Sequence, residues 1–129
     1  MRVVIADDSI LTLDWLVEML GHSAQIEVVG KCDNGTETLD ALRRLKPDMA
    51  IVDYRMPGLN GIEVLREIRK TDKTLKFILL TFFAYDKYRQ IAMETGADYF
   101  FSKIDDYESL SVVIDQMAQE EKSNNIHLV

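Results

Sequence analysis

Apolar and polar positions alternate along this chain in blocks, and the blocks change period. Short apolar runs come first: Arg2-Val-Val-Ile-Ala6, Ile26–Cys32, Met49–Asp53, Lys76–Thr81 and Asp98–Ser102. Each is five to seven residues long and bounded by turn or charged residues, which is the signature of a buried strand. Between them the apolar residues recur at helical spacing. Leu11, Trp15, Leu16, Met19 and Leu20 follow Ser9, a good N-cap, and stop at Gly21. Leu39, Leu42 and Leu45 form a stripe that Lys46-Pro47 ends. Asn34 with Glu37, and Asn60 with Glu63, have the spacing of capping boxes. Ile62, Leu65 and Ile68 make the third helical face. Tyr88, Ile91, Ala92 and Thr95 make the fourth, closed by Gly96. Asp105 and Glu108 would cap a fifth helix carrying Leu110, Val113, Ile114 and Met117, with a polar, frayed tail from Gln119.

Five strands alternating with five helices specify a parallel sheet covered on both faces. Right-handed crossovers leave few topologies, and the flavodoxin-like order 2-1-3-4-5 is the expected one. We read residues 1–118 as one domain and 119–129 as a tail or linker stub. In that order strands 1 and 3 are neighbours, and the switch point lies between their carboxyl ends. Asp7 and Asp8 then sit beside Asp53, and Thr81 and Lys103 reach the same edge from strands 4 and 5. Residues far apart in the chain become one pocket.

Composition narrows the possibilities. The chain has 129 residues, 47% of them hydrophobic, so it can bury a core. No apolar run is long enough to span a bilayer, and no signal peptide is expected before the first strand. The single cysteine, Cys32, fits a reducing, cytoplasmic setting and is expected to be a small buried hydrophobe. A net charge of −7 argues against direct binding of nucleic acid. Trp15 and the methionines are expected to fill the core. His22 and His127 have no partners at metal spacing. Arg66, Arg69 and Lys70 are expected to be a solvated helix face.

Three converging carboxylates repel one another unless a cation joins them. Oxygen ligands without histidine or cysteine favour a hard ion such as Mg²⁺ (or Mn²⁺). A carboxylate can attack phosphorus, and Lys103 and Thr81 are suited to stabilise phosphate oxygens.

At these residues the sequence resembles the receiver domain of bacterial two-component response regulators. The likeness runs from about Arg2 to Met117. It rests on Asp7-Asp8, on Asp53-x-x-Met-Pro-Gly-x-x-Gly61, on Thr81, on Gly96-Ala97-Asp98 and on Lys103. It implies that Asp53 accepts a phosphoryl group from a sensor histidine kinase or a small phosphodonor. It implies that Asp8, Asp53 and the backbone carbonyl of Arg55 ligate Mg²⁺, with Asp7 acting through water. It also implies that Thr81 and Phe100 form a switch pair feeding the surface of the fourth helix, fifth strand and fifth helix. That surface would address an output domain or partner, in transcriptional control, or form a homodimer. The chain would assist its own phosphorylation rather than act as an enzyme on another substrate.

Two positions depart from the family. Ile104 stands where proline usually follows the lysine, so either a trans bond with a shifted loop or a strained bond is expected. Phe82 stands where a small residue usually flanks the phosphate, so its ring either narrows access or turns outward. Three other readings stay open: a partner-binding module without phosphorylation, a phosphatase with an aspartyl nucleophile, and a flavodoxin. The Asp-x-Asp of haloacid-dehalogenase phosphatases is lacking at Asp53, and no hydroxyl-rich phosphate loop follows the first strand.

Overall fold

The structure, a computed structural model, describes residues 1–127, with side-chain surroundings described through Glu121. Five strands, β1 (Arg2–Ala6), β2 (Glu27–Cys32), β3 (Met49–Asp53), β4 (Lys76–Thr81) and β5 (Tyr99–Ser102), pair in parallel in the order β2-β1-β3-β4-β5. Five helices alternate with them: α1 (Ile10–Leu20), α2 (Gly35–Leu45), α3 (Gly61–Arg69), α4 (Asp86–Thr95) and α5 (Tyr107–His127). The flavodoxin-like order expected from the sequence is the one observed.

The central strands are apolar on both faces because both faces are covered. Val4, Ala6, Ala50, Val52, Phe77 and Leu79 point to one side, against α2, α3 and α4. Val3, Ile5, Met49, Ile51, Ile78 and Leu80 point to the other, against α1 and α5. Each strand therefore divides its residues alternately between two cores, as a two-residue period requires.

The helix starts follow local chemistry. The Ser9 side chain accepts from the Thr12 N–H, and the Asn34 side chain from the Glu37 N–H. At Asn60 and Glu63 both bonds of a capping box form, at 2.9 and 3.0 Å. The expected box at Asn34 is half made, since only the asparagine side chain bonds back.

Several expectations are corrected. Leu11 is 81% exposed and Leu13 is buried in its place; Leu16 and Leu20 are buried as expected, with Trp15 and Met19 at the margin. The last helix begins at Tyr107, and Asp106 rather than Asp105 makes the side-chain bond at its start, accepting from the Ser102 N–H at 2.7 Å. The helix continues past Gln119 to His127, where a frayed tail was expected; Leu128 and Val129 lie outside the described residues. Met93 is 47% exposed, unlike the buried Met49 and Met56. Arg69 is no solvated face residue. Its guanidinium donates to the carbonyls of Gly96 and Asp72 and to the Asp98 carboxylate, whose same oxygen accepts the Phe77 N–H. This cluster joins the end of α3 to the start of β4 and the loop before β5. Cys32 is buried, as expected, and burial pushes its thiol pKa up. No helix among the described residues is long and apolar enough to cross a membrane.

Candidate functional site

Strand register builds the site. Ala6 lies opposite Val52, so the next residues, Asp7 and Asp53, leave the sheet side by side. Asp53 lies opposite Leu80, and Thr81 lies opposite Ser102, which places Thr81 and Lys103 at the same edge. The Lys103 N–H donates to the Thr81 carbonyl at 2.8 Å and continues the ladder by one step. Beyond β3 the chain turns sharply through Met56-Pro57-Gly58. Gly58 has φ +76°, a left-handed conformation that glycine adopts without strain. Gly61 then passes so close to β3 that a Cβ there would lie 2.4 Å from the Asp53 carbonyl oxygen. This approach sets the start of α3 directly against the end of the acid-bearing strand.

The carboxylates of Asp7, Asp8 and Asp53 each offer an oxygen within 4.8 Å of the others. Asp7 and Asp53 are buried and Asp8 is exposed. The Lys103 ammonium, 3% exposed, lies 2.5 Å from Asp7 Oδ2 and 3.3 Å from Asp53 Oδ1. Asp7 Oδ1 accepts the Ser9 N–H at 2.9 Å, so both Asp7 oxygens are engaged. Burial, and then the neighbouring Asp7 charge, push the Asp53 pKa from 3.8 up to about 6, against the pull of Lys103. One buried cation does not balance three acids. The donor set is all oxygen, with surplus negative charge, and suits a hard divalent ion.

The loop after β4 closes over this edge. The Thr81 hydroxyl oxygen accepts the Phe83 N–H at 3.0 Å. Phe82 is 55% exposed, yet Lys103 Nζ lies 4.8 Å from its ring centroid. The Arg55 guanidinium carbon lies 4.2 Å from the Phe83 ring centroid. Two consecutive rings thus meet two cations, and the exposed Arg55–Phe83 contact is worth about 0.5–1 kcal/mol. A surface depression of about 840 Å³ opens at the other end of the sheet, around Pro47, Asp48 and Leu75, away from these residues.

A family model described as the response regulator receiver domain matches residues 3–115. The chain belongs to this family. The receiver is 31% identical over 79% of its length to the response regulator GacA of Pseudomonas viridiflava, covering 48% of that protein. It is 34% identical over 79% of its length to a Mycobacterium tuberculosis protein named "probable transcriptional regulatory protein NarL", covering 47% of it. The receiver thus spans about half the length of the curated relatives it matches. The solved signal receiver domain of NarL from Mycobacterium tuberculosis superposes with a TM-score of 0.84 at 29% identity, covering 92% of this chain and 95% of that one.

Within the receiver, the residues singled out from the sequence meet at one edge: Asp7, Asp8, Asp53, Thr81 and Lys103. Arg55 is exposed in the loop after β3. Phe100 stands one strand away and is buried at 2% exposure. The Lys103–Ile104 bond is trans, since no peptide is cis among the described residues. Ser102 and Asp106 shape the loop that proline usually shapes in the family. The Ser102 hydroxyl accepts the N–H groups of Ile104 and Asp105 at 3.1 and 3.2 Å, and Asp106 accepts the Ser102 N–H. Ile104 is left 66% exposed. Reading the sequence missed Ser102, Asp106, the Arg55–Phe83 contact and Arg89, which bonds the Phe100 carbonyl. Only the Ser102–Asp106 spacing carried any signal, and Glu108 drew the cap to Asp105 instead.

Proposed function

We propose that the receiver accepts a phosphoryl group on Asp53, from a sensor histidine kinase or a small phosphodonor, with Mg²⁺ (or Mn²⁺). The observation that carries this reading is the Asp53 carboxylate held 3.3 Å from a buried lysine within a cluster of three acids. An Asp53 oxygen attacks phosphorus, the bond from phosphorus to the donor nitrogen or oxygen breaks, and the donor leaves with its electron pair. With its pKa pushed up only to about 6, Asp53 is still ionised at neutral pH. Asp8, Asp53 and the Arg55 carbonyl would ligate the ion directly. Asp7, whose oxygens already bond the Ser9 N–H and the Lys103 ammonium, would act through water. The bound ion supplies charge neutralisation at the equatorial oxygens. Lys103 holds one phosphate oxygen as a point charge, and the Thr81 hydroxyl donates to another.

Thr81 and Phe100 act as the switch pair and alter the α4–β5–α5 surface. We assign residues 1–118 to the receiver and 119–129, into which α5 continues as far as His127, to a C-terminal tail or linker stub. The similarity to a protein named as a transcriptional regulator supports an attached transcriptional output domain. We place the receiver in the cytoplasm, with homodimerisation through α4–β5–α5, and its net charge of −7 argues against direct nucleic-acid contact by the receiver. On this reading the receiver contributes to its own phosphorylation and is not an enzyme on other substrates. The second reading, a partner-binding module that is phosphorylated slowly or not at all, is favoured by one observation: Phe82 faces the ammonium that a phosphate oxygen must reach.

The test is incubation with acetyl phosphate, with and without Mg²⁺, followed by intact mass. We expect one phosphoryl group per chain with Mg²⁺, and at least a hundredfold slower uptake without it. No uptake by the wild-type chain under either condition selects the partner-binding reading.

A further inference from the structure

Helix α4 is lightly anchored. Of its residues only Ala92 is fully buried, and Tyr85 at its start makes no side-chain cap. One side chain of α4 nevertheless grips β5 twice at a single residue. Arg89 Nη1 donates to the Phe100 carbonyl at 2.9 Å, and its guanidinium carbon lies 4.9 Å from the Phe100 ring centroid. Arg89 is exposed, so it lies on the solvent side of a ring that is 2% exposed. The hydrogen bond fixes the guanidinium to the backbone, and the planar group then covers the ring face.

We infer that Arg89 is a positioning residue that holds the Phe100 ring in its inward seat and ties its rotation to the placement of α4. The inference rests on the switch role proposed for Thr81 and Phe100, and deepens it. The loop between β4 and α4 is bonded to Thr81 through the Phe83 N–H. A shift of that loop therefore moves α4, and with it the guanidinium that covers the ring. The ring cannot turn outward past Arg89 without losing the cation–aromatic contact. Arginine is suited to this because its planar fork bonds a carbonyl and stacks on a ring together, which an ammonium does less well.

The test uses the chain labelled with 4-fluorophenylalanine, the Phe100 fluorine being assigned by its loss in Phe100→Leu. The difference in its chemical shift between H₂O and D₂O reports solvent contact. In the wild-type chain this difference is expected to be small. In Arg89→Ala the outward population is expected to rise roughly tenfold, through loss of a charged hydrogen bond and a ring contact, with a larger solvent effect or a second resonance. Arg89→Lys is expected to fall between. Circular dichroism checks the fold of each variant. An Arg89→Ala ring as shielded as the wild-type ring overturns the inference. These spectra need no phosphodonor. Failure of Asp53 labelling beside a released ring would refute the phosphoacceptor reading alone, while labelling beside an unmoved ring would refute the role of Arg89 alone.

Discussion

Asp53→Asn is expected to stabilise the metal-free receiver by roughly 2–3 kcal/mol at pH 7.5 and to have little effect at pH 4. The Asp53 carboxyl is raised from 3.8 to about 6, chiefly by burial and then by Asp7. That difference corresponds to about 3 kcal/mol for ionising the group inside the folded chain. Between pH 3.8 and about 6 the folded state holds a proton that the unfolded state has lost. Stability from this group therefore falls as pH rises through the window and stays low above about 6. Asparagine carries no charge and escapes the penalty. Urea unfolding in EDTA at the two pH values checks the sign. Added Mg²⁺ is expected to stabilise the wild type more than the variant and to narrow the gap, because a ligand of the folded state alone stabilises by mass action. A variant less stable than wild type at pH 7.5 would mean that Asp53 gains more from Lys103 than it loses by burial.

The other large effect is expected at Lys103. Its ammonium is buried between Asp7 and Asp53. Lys103→Ala leaves those carboxylates buried without their shared counter-charge. Removing one partner of a buried pair costs about 3–5 kcal/mol, against about 0–1 for an exposed pair. The variant is therefore expected to lose about 3–5 kcal/mol at pH 7.5 in EDTA, and to recover part of it on adding Mg²⁺ or lowering the pH. Combined with Asp53→Asn the loss should be less than additive, since the two residues share one contact. Acetyl phosphate should still label Lys103→Ala, more slowly, without the phosphate-dependent change in hydrogen exchange across α4, β5 and α5. Unaltered stability, or an intact exchange response, would remove Lys103 from the centre of the site.

The acid site was legible in the sequence because strands β1, β3 and β4 are apolar on both faces and end abruptly. Each ends at the position where its chain leaves the sheet, so topology alone places Asp7, Asp53 and Thr81 together. In the α1 stripe only Leu11 is misplaced: it continues the four-residue spacing of Trp15 and Met19, but the sheet meets Leu13, Leu16 and Leu20. Periodicity ranks faces by regularity, whereas the sheet selects the face that meets it. Contacts between a cation and a ring leave no periodic trace. Lys103 and Phe82 lie 21 residues apart, and Arg89 and Phe100 lie 11 apart, and nothing local to Arg89 sets it apart from Lys87. Arg69 was misjudged for the same reason: its carbonyl partner Gly96 and its carboxylate partner Asp98 come from a distant turn.

The most direct measurement is peptide-level mass spectrometry of the receiver after incubation with acetyl phosphate and Mg²⁺. The geometry predicts a single phosphoryl group, borne by the peptide that contains Asp53 and absent from Asp53→Asn. A phosphoryl group on a different residue, or equal labelling of the asparagine variant, would contradict it.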